Sequence, residues 1–372
     1  MEQITLKTDG RKTQRQSNFE LLRIFAMLLI IGHHFAVHSG FVYPNDAVSL
    51  GRLWIQFLTI GGKLGVNIFV LISGWFLSAE KHFRTKKAIR LWLQIFTYAA
   101  VLYVIFIATC AETITYEGLK PRLFPVTFIN WWFASAYFVL LLFTPFLNRF
   151  LHALSKRQFL LLLCLCGTLW CIIPTVSAQE MQCNNLLWFM SVYALAAYLR
   201  MYAGKPKHGA VFYLALGCLC ALFIFASAVV LDFLGVSHPF FRSHTRYFYG
   251  IKMLPNIASA VFFLIGFSKI DIGSVRWINV ISSAVFGVYL LHDDPLTRPL
   301  IWEKLFACSQ IAGRLRLIPI SLLCIAAVFV CCTAVELLRI CLLERLYMPL
   351  VERLSDALDR RKEKLLDRLS RS

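Results

Sequence analysis

An all-α, polytopic membrane helix bundle is the fold class this sequence predicts, with about ten transmembrane helices and both termini cytoplasmic. Three observations predict it. Of 372 residues, 59% are apolar and only 16% are charged, against about 25% charged in an ordinary soluble domain. The apolar residues come in continuous runs, such as 24–37, 64–77 and 99–107, and not in the alternation of a half-buried strand. Crossing a hydrocarbon core takes about 20 mostly apolar residues, with every backbone N–H and C=O paired internally, which a helix does within itself. The basic residues, finally, sit in the gaps between the runs, where membrane insertion places them.

The first span, 19–38, follows Lys7, Arg11, Lys12 and Arg15. That order resembles a signal peptide, but the apolar segment is too long and no small-residue cleavage site follows it, so it is expected to stay as a spanning helix. The remaining spans are read at 55–78, 89–109, 131–150, 158–176, 185–202, 210–234, 253–268, 276–293 and 317–341. Of 38 Lys and Arg, 26 fall in the set of gaps that holds both termini and 11 in the opposite set, Arg52 and Lys63 among them, with Arg23 inside the first helix. That asymmetry puts both termini inside. The transmembrane domain is read as 1–343. The highly charged remainder, 344–372, carries Leu346, Leu350, Leu354 and Leu358, with Leu365 and Leu369 further on. Such a stripe suits a cytoplasmic helix on the membrane or packed on the protein; a coiled coil forming a homodimer is the alternative.

A net charge of +18 invites a nucleic-acid partner, but cations dispersed between membrane spans exclude it. Twelve cysteines contain no C-x-x-C, so no zinc or redox motif is read and no metal is expected. Most lie in apolar runs, where cysteine acts as a small hydrophobe. Cys110, Cys183 and Cys308 fall in predicted outer loops, where a disulfide is a minor alternative.

Ionisable side chains inside a span are costly unless paired or hydrated, which makes each a functional candidate. The first helix holds five: Glu20, Arg23, His33, His34 and His38. Arg23 and His34 lie within roughly 20° of one face and about 16 Å apart along the axis, and Glu20 is one turn from Arg23. A guanidinium near the inner mouth with an imidazole deeper on the same face suits a long anionic donor. His33 points about 100° away and reads as a packing residue. The alternative for Arg23 is snorkelling to the interface.

These residues carry a family resemblance. Glu20, Arg23 and His34 resemble the Arg-X10-His first helix of the acyltransferase-3 family of bacterial integral membrane acyltransferases. Residues 65–74 (GVNIFVLISG), Lys87 with Arg90, Trp131-Trp132-Phe133 with 145–148 (PFLN), and 283–292 (SAVFGVYLLH) are similar to that family's later signatures, in the same order. The resemblance implies an enzyme of the cell inner (cytoplasmic) membrane, an O-acetyltransferase that moves an acyl group, usually acetyl, from acetyl-CoA or another acyl-CoA to a hydroxyl. The acceptor is then a glycan: a cell-envelope polysaccharide or a lipid-linked sugar. No cofactor is bound permanently; the acyl-CoA is the donor substrate. His34 is the expected base or acyl carrier, since imidazole titrates near neutrality. Arg23, Lys87 and Arg90 are expected to hold the polyanionic donor, and Ser73-Gly74 to pack helices. His292 assists His34 or contacts the acceptor, unless it is an interfacial residue, as Trp131 and Trp132 are expected to be.

One position departs from the family. Many members have Asp where this chain has Asn67, which orients a histidine by hydrogen bonding but carries no charge; Glu20 or Asp293 would then supply the charge. Two other functions compete: a transporter or flippase for a lipid-linked glycan, and a non-catalytic receptor or scaffold. Clustering of Arg and His on one helix argues against both, and the sequence has no internal repeat of the kind many transporters carry.

Overall fold

The computed structural model describes residues 16–80, 85–204, 206–312 and 314–371, and among them it is helical with no strand. Lys7, Arg11, Lys12 and Arg15, and Lys81 and Arg84 in the second gap, lie outside the described residues. The long helices are α1 (Ser17–His38), α2 (Leu50–Leu77), α3 (Thr85–Ala108), a short α4 (Tyr116–Leu123), α5 (Trp132–Ala153), α6 (Lys156–Ser177), α7 (Asn185–Tyr202), α8 (Ala210–Ser237), α9 (Leu254–Ser268), α10 (Arg276–His292), α11 (Leu317–Arg339) and α12 (Arg345–Arg371). Among the described residues, eight helical segments are long and apolar enough to cross a membrane; α7, with 18 residues, and α10, with 17, are not among them. Lys63 falls inside α2 and not in an outer gap.

Local chemistry sets the helix ends. Ser49 caps α2 by accepting from the Arg52 N–H, Asn184 caps α7 at Leu187, and Ser155 with Gln158 forms a capping box before α6. Within α6 a wide turn at Thr168–Ile172 precedes Pro174, which has no N–H to continue the ladder. A second wide turn, Ile340–Glu344, joins α11 to α12 without a break, so the expected boundary at 343/344 falls inside a continuous helix.

α1 and α2 form the centre. Gly61 and Gly65 give α2 a G-x-x-x-G face, and a Cβ on either would lie 2.6 Å from the Leu29 carbonyl oxygen or 2.7 Å from that of Ala26. Small residues thus bring the two backbones into contact, the usual route to helix association in lipid. Gly74 likewise packs on the α7 backbone at Tyr193. α8 is peripheral, with 17% of its apolar window buried against 78% for α2. At the end where α1 begins, here the basal end, the Asn148 amide donates to the Leu77 carbonyl and Ser17 bonds Gly273 and Asn279. α12 packs there on the start of α3 through Lys86–Glu352, Arg90–Glu344 and Thr85–Asp359. Its leucines 346, 350, 354 and 358 stay exposed. At the distal end Arg52 pairs with Asp232, and Arg122 with Asp294.

Candidate active site

Two histidines 258 residues apart meet in the bundle. His34 on α1 and His292 at the end of α10 are buried, and His34 Nδ1 lies 2.8 Å from His292 Nε2. The hydrogen-bond network fixes their protons. His292 Nδ1 is 2.6 Å from the Val288 carbonyl oxygen, which only accepts, so Nδ1 carries the proton and Nε2 of the neutral ring is an acceptor. His34 Nδ1 must then donate to it. The neutral His34 therefore keeps a lone pair on Nε2, the arrangement of a base oriented by a second group.

A carboxylate stands beside that lone pair. Asp293 Oδ1 is 3.7 Å from His34 Nε2 and 3.9 Å from His38 Nε2. Arg298 holds Asp293 in place, with its Nε and Nη2 at 3.0 and 2.9 Å from Oδ1 and a further bond to the Asp293 carbonyl. A proton arriving on His34 Nε2 thus forms an imidazolium next to a fixed negative charge. Ligand atoms of His34, His38 and Asp293 lie within 4.8 Å of one another, a spacing open to a metal ion. The guanidinium already on Oδ1 makes that oxygen a poor site for a second cation. Behind His292, the fully buried Trp302 presents its ring edge-on at 6.5 Å, and the neighbouring Asp294 accepts from Arg122 at 2.6 Å.

His34 opens onto a cavity of ≈ 40 Å³ that His33, Gly62, Lys63, Trp132 and Tyr289 also line. His33 does not point away from it. Its Nδ1 donates to the Thr59 carbonyl at 2.7 Å, and its ring centroid is 5.6 Å from that of His34. The ring packs flat on α2, where a Cβ on Gly62 would lie 2.3 Å from its Cγ. Trp131 and Trp132 do not form an interfacial belt: Trp131 is buried, and Trp132 is a wall of the cavity with the Lys63 ammonium 4.4 Å from its ring centroid.

Glu20 and Arg23 sit about three to four turns from His34, bonded to each other at 2.8 Å, with the Ser282 hydroxyl donating to Glu20. They line a second, open pocket of ≈ 1330 Å³ at the basal end, together with Phe76, Arg200 and Lys269. The guanidinium carbons of Arg23 and Arg200 stand 5.9 and 5.8 Å from the Phe76 ring. The two pockets are separate: Arg23 and Phe76 line one, Met27 and Phe69 the other.

The remaining sequence candidates fall elsewhere. Lys87 pairs with Glu80, a wall of the basal pocket, and so stands at its rim. Arg90 turns to Glu344 on α11–α12, outside the pocket lining. Asn67 touches no histidine; its amide donates to the Ile251 carbonyl and to Asn256 Oδ1, and it accepts from the Trp188 indole. Of the two carboxylates weighed as its substitute, Asp293 is at the histidines and Glu20 is not. Sequence reasoning did not single out Lys63, Arg200, Lys269 or Arg298. All four entered only the charge count, as ordinary cations of the gaps between spans.

Residues 16–336 match the acyltransferase-3 family model, described as an acyltransferase domain. No curated protein matches the chain, and no solved structure does.

Proposed function

This chain belongs to the acyltransferase-3 family, and on that premise we propose that it moves an acetyl group from acetyl-CoA to a hydroxyl of a cell-envelope polysaccharide or lipid-linked sugar. The observation that carries this reading is the His34–His292 pair, which leaves a lone pair on His34 Nε2 with Asp293 3.7 Å away. Acyl transfer from a thioester needs a group that takes the hydroxyl proton and later releases it. Here His34 takes it, Asp293 stabilises the resulting imidazolium, and His292 holds the ring in the one useful tautomer.

The basal pocket supplies the other half. CoA is polyanionic and long, and Arg23, Arg200 and Lys269 offer three cations around an opening large enough for a nucleotide. The 11-residue spacing from Arg23 to His34, about 16 Å of axial rise, is comparable to the reach of a pantetheine arm. The donor enters from the cytoplasm, and its arm passes the layer between Met27 and Arg23 to bring the thioester to His34. A cavity of ≈ 40 Å³ admits an acetyl group and leaves little room for a longer acyl chain. In this reading α7 and α10 span the inner membrane too, giving ten crossings with both termini cytoplasmic. Residues 344–371 form the cytoplasmic end of the last helix.

The test is chemical. A strain lacking the protein should lose O-acetyl groups from an envelope glycan and regain them on complementation, and membrane vesicles should release free CoA thiol from acetyl-CoA only when the protein is present. Unchanged glycans together with no thiol release would remove the reading.

A further inference from the structure

The buried and half-buried cations toward the ends of the bundle have carboxylates against them, among them Arg52 on Asp232, Arg122 on Asp294, Lys252 on Glu180 and Arg339 on Glu336. That is expected, because an unpaired charge at membrane depth is expensive. Lys63 departs from the pattern. It stands midway along α2, and among the described residues no carboxylate lies within ion-pair distance of it and no oxygen accepts a hydrogen bond from it. Its ammonium rests on the face of Trp132, 4.4 Å from the ring centroid, and it lines the cavity that His33 and His34 share. A cation–π contact holds the ammonium in position while leaving its N–H donors unused. Unused donors, held next to a base in a small apolar chamber, are what a transient negative charge requires.

We propose that Lys63 forms the oxyanion site of this chamber, donating to the oxygen that becomes negative during acyl transfer. The inference rests on the acyltransferase reading and adds a residue to it. His34 Nε2 takes the proton of the acceptor hydroxyl, and the acceptor oxygen bonds the thioester carbon. The carbonyl electron pair moves onto its oxygen, and Lys63 N–H donates to that oxyanion. When the pair returns, the C–S bond breaks, and the departing CoA thiolate takes the proton from His34. Lys63 keeps its own proton throughout. Trp132 positions the ammonium and touches no reacting atom.

The experiment compares Lys63→Met, Lys63→Arg and His34→Ala in membrane vesicles supplied with radiolabelled acetyl-CoA. It follows thiol release and label incorporated into envelope glycan, with melting of the detergent-solubilised protein as the folding control. Removing one oxyanion donor costs about 10²–10³-fold in kcat. Lys63→Met should show that loss with an unchanged KM for acetyl-CoA, and should melt no lower than the parent, because a half-buried charge without an ion-pair partner has been removed. Lys63→Arg should recover part of the rate. Near-normal kcat in Lys63→Met, with His34→Ala inactive, would overturn the oxyanion site and leave the acyltransferase reading intact. So would a rate loss that only tracks a lower melting temperature, since Lys63 would then be an anchor for Trp132. Absence of transfer in the parent vesicles would overturn both.

Discussion

Arg23 and His34 share one face of α1, yet the two surroundings are opposite in kind. Around His34 the space is ≈ 40 Å³, aromatic rings form much of the wall, and His34 Nδ1 and both His292 nitrogens each have an assigned partner, which leaves His34 Nε2 free. Around Arg23 the space is ≈ 1330 Å³ and open, and the Arg23 and Arg200 guanidinium carbons both stand nearly 6 Å from the Phe76 ring. Proton transfer depends steeply on distance and orientation, so its groups must be fixed before substrate arrives. Holding a flexible polyanion needs a field more than a geometry. The distal cavity is built for the first task and the basal pocket for the second.

Substitution at the distal cavity therefore acts on rate. His34→Ala should cost about 10²–10⁴-fold in kcat, the range of a general base, while inserting normally and leaving the KM for acetyl-CoA near its parent value. His292→Ala frees His34 to adopt either tautomer and should cost less, on the order of 10-fold to 10²-fold. His33→Ala should keep substantial activity, although its ring shares the cavity. Thiol release from acetyl-CoA measures all three. An essential His33 beside a dispensable His34 would move the base by one residue and break the tautomer argument.

Substitution at the basal pocket should act on affinity. Each hydrogen bond to a charged group is worth about 1.5–3 kcal/mol, so Arg23→Ala and Arg200→Ala should each raise the acetyl-CoA KM roughly 10-fold to 10²-fold. The penalty should shrink as salt is added, because screening already weakens the parent. Arg90→Ala should have a smaller effect, since Arg90 faces Glu344 and not the pocket. An Arg90 effect equal to that of Arg23 would place the donor along α3 and redraw the comparison.

How much of this was legible in the sequence follows from the range of the forces involved. The spanning helices are written locally, as apolar runs of bilayer length, and nearly every one appears within a few residues of its expected place. Arg23 and His34 were legible because one helix carries both and 100° per residue fixes their relation. The His34–His292 bond was not, since two helices far apart in sequence make it. Resemblance marked His292, and only packing showed it buried. Lys63, Lys269 and Arg298 were hidden by the same charge count that gave the topology, because a cation assigned to a gap between spans has a sufficient reason to be there. The expected boundary at 344 followed a change in composition, which the backbone meets with a wide turn and not with a break in the helix.

Asn67 gives the smallest expected effect on rate and the sharpest test of where the active site ends. It is fully buried on α2, and its amide nitrogen donates to the Ile251 carbonyl at 2.8 Å and to Asn256 Oδ1 at 3.0 Å, while its oxygen accepts from the Trp188 indole. A carboxylate there keeps the Trp188 bond but turns a donor into an acceptor opposite two oxygens. Rotation of the Asn256 amide, whose own nitrogen has no partner, relieves one clash by bringing N–H toward residue 67. The Ile251 carbonyl cannot rotate, so one repulsive contact remains. Asn67→Asp should therefore lower stability by about 1–3 kcal/mol, the cost of an unsatisfied buried polar group, read as a lower melting temperature in detergent. Turnover per folded molecule should not change, because Asn67 contacts no histidine and Asp293 already stands beside His34. If Asn67→Asp instead raised kcat, the charge at residue 67 would be felt at the base through α2. The electrostatic reach of the site would then include a residue outside its lining.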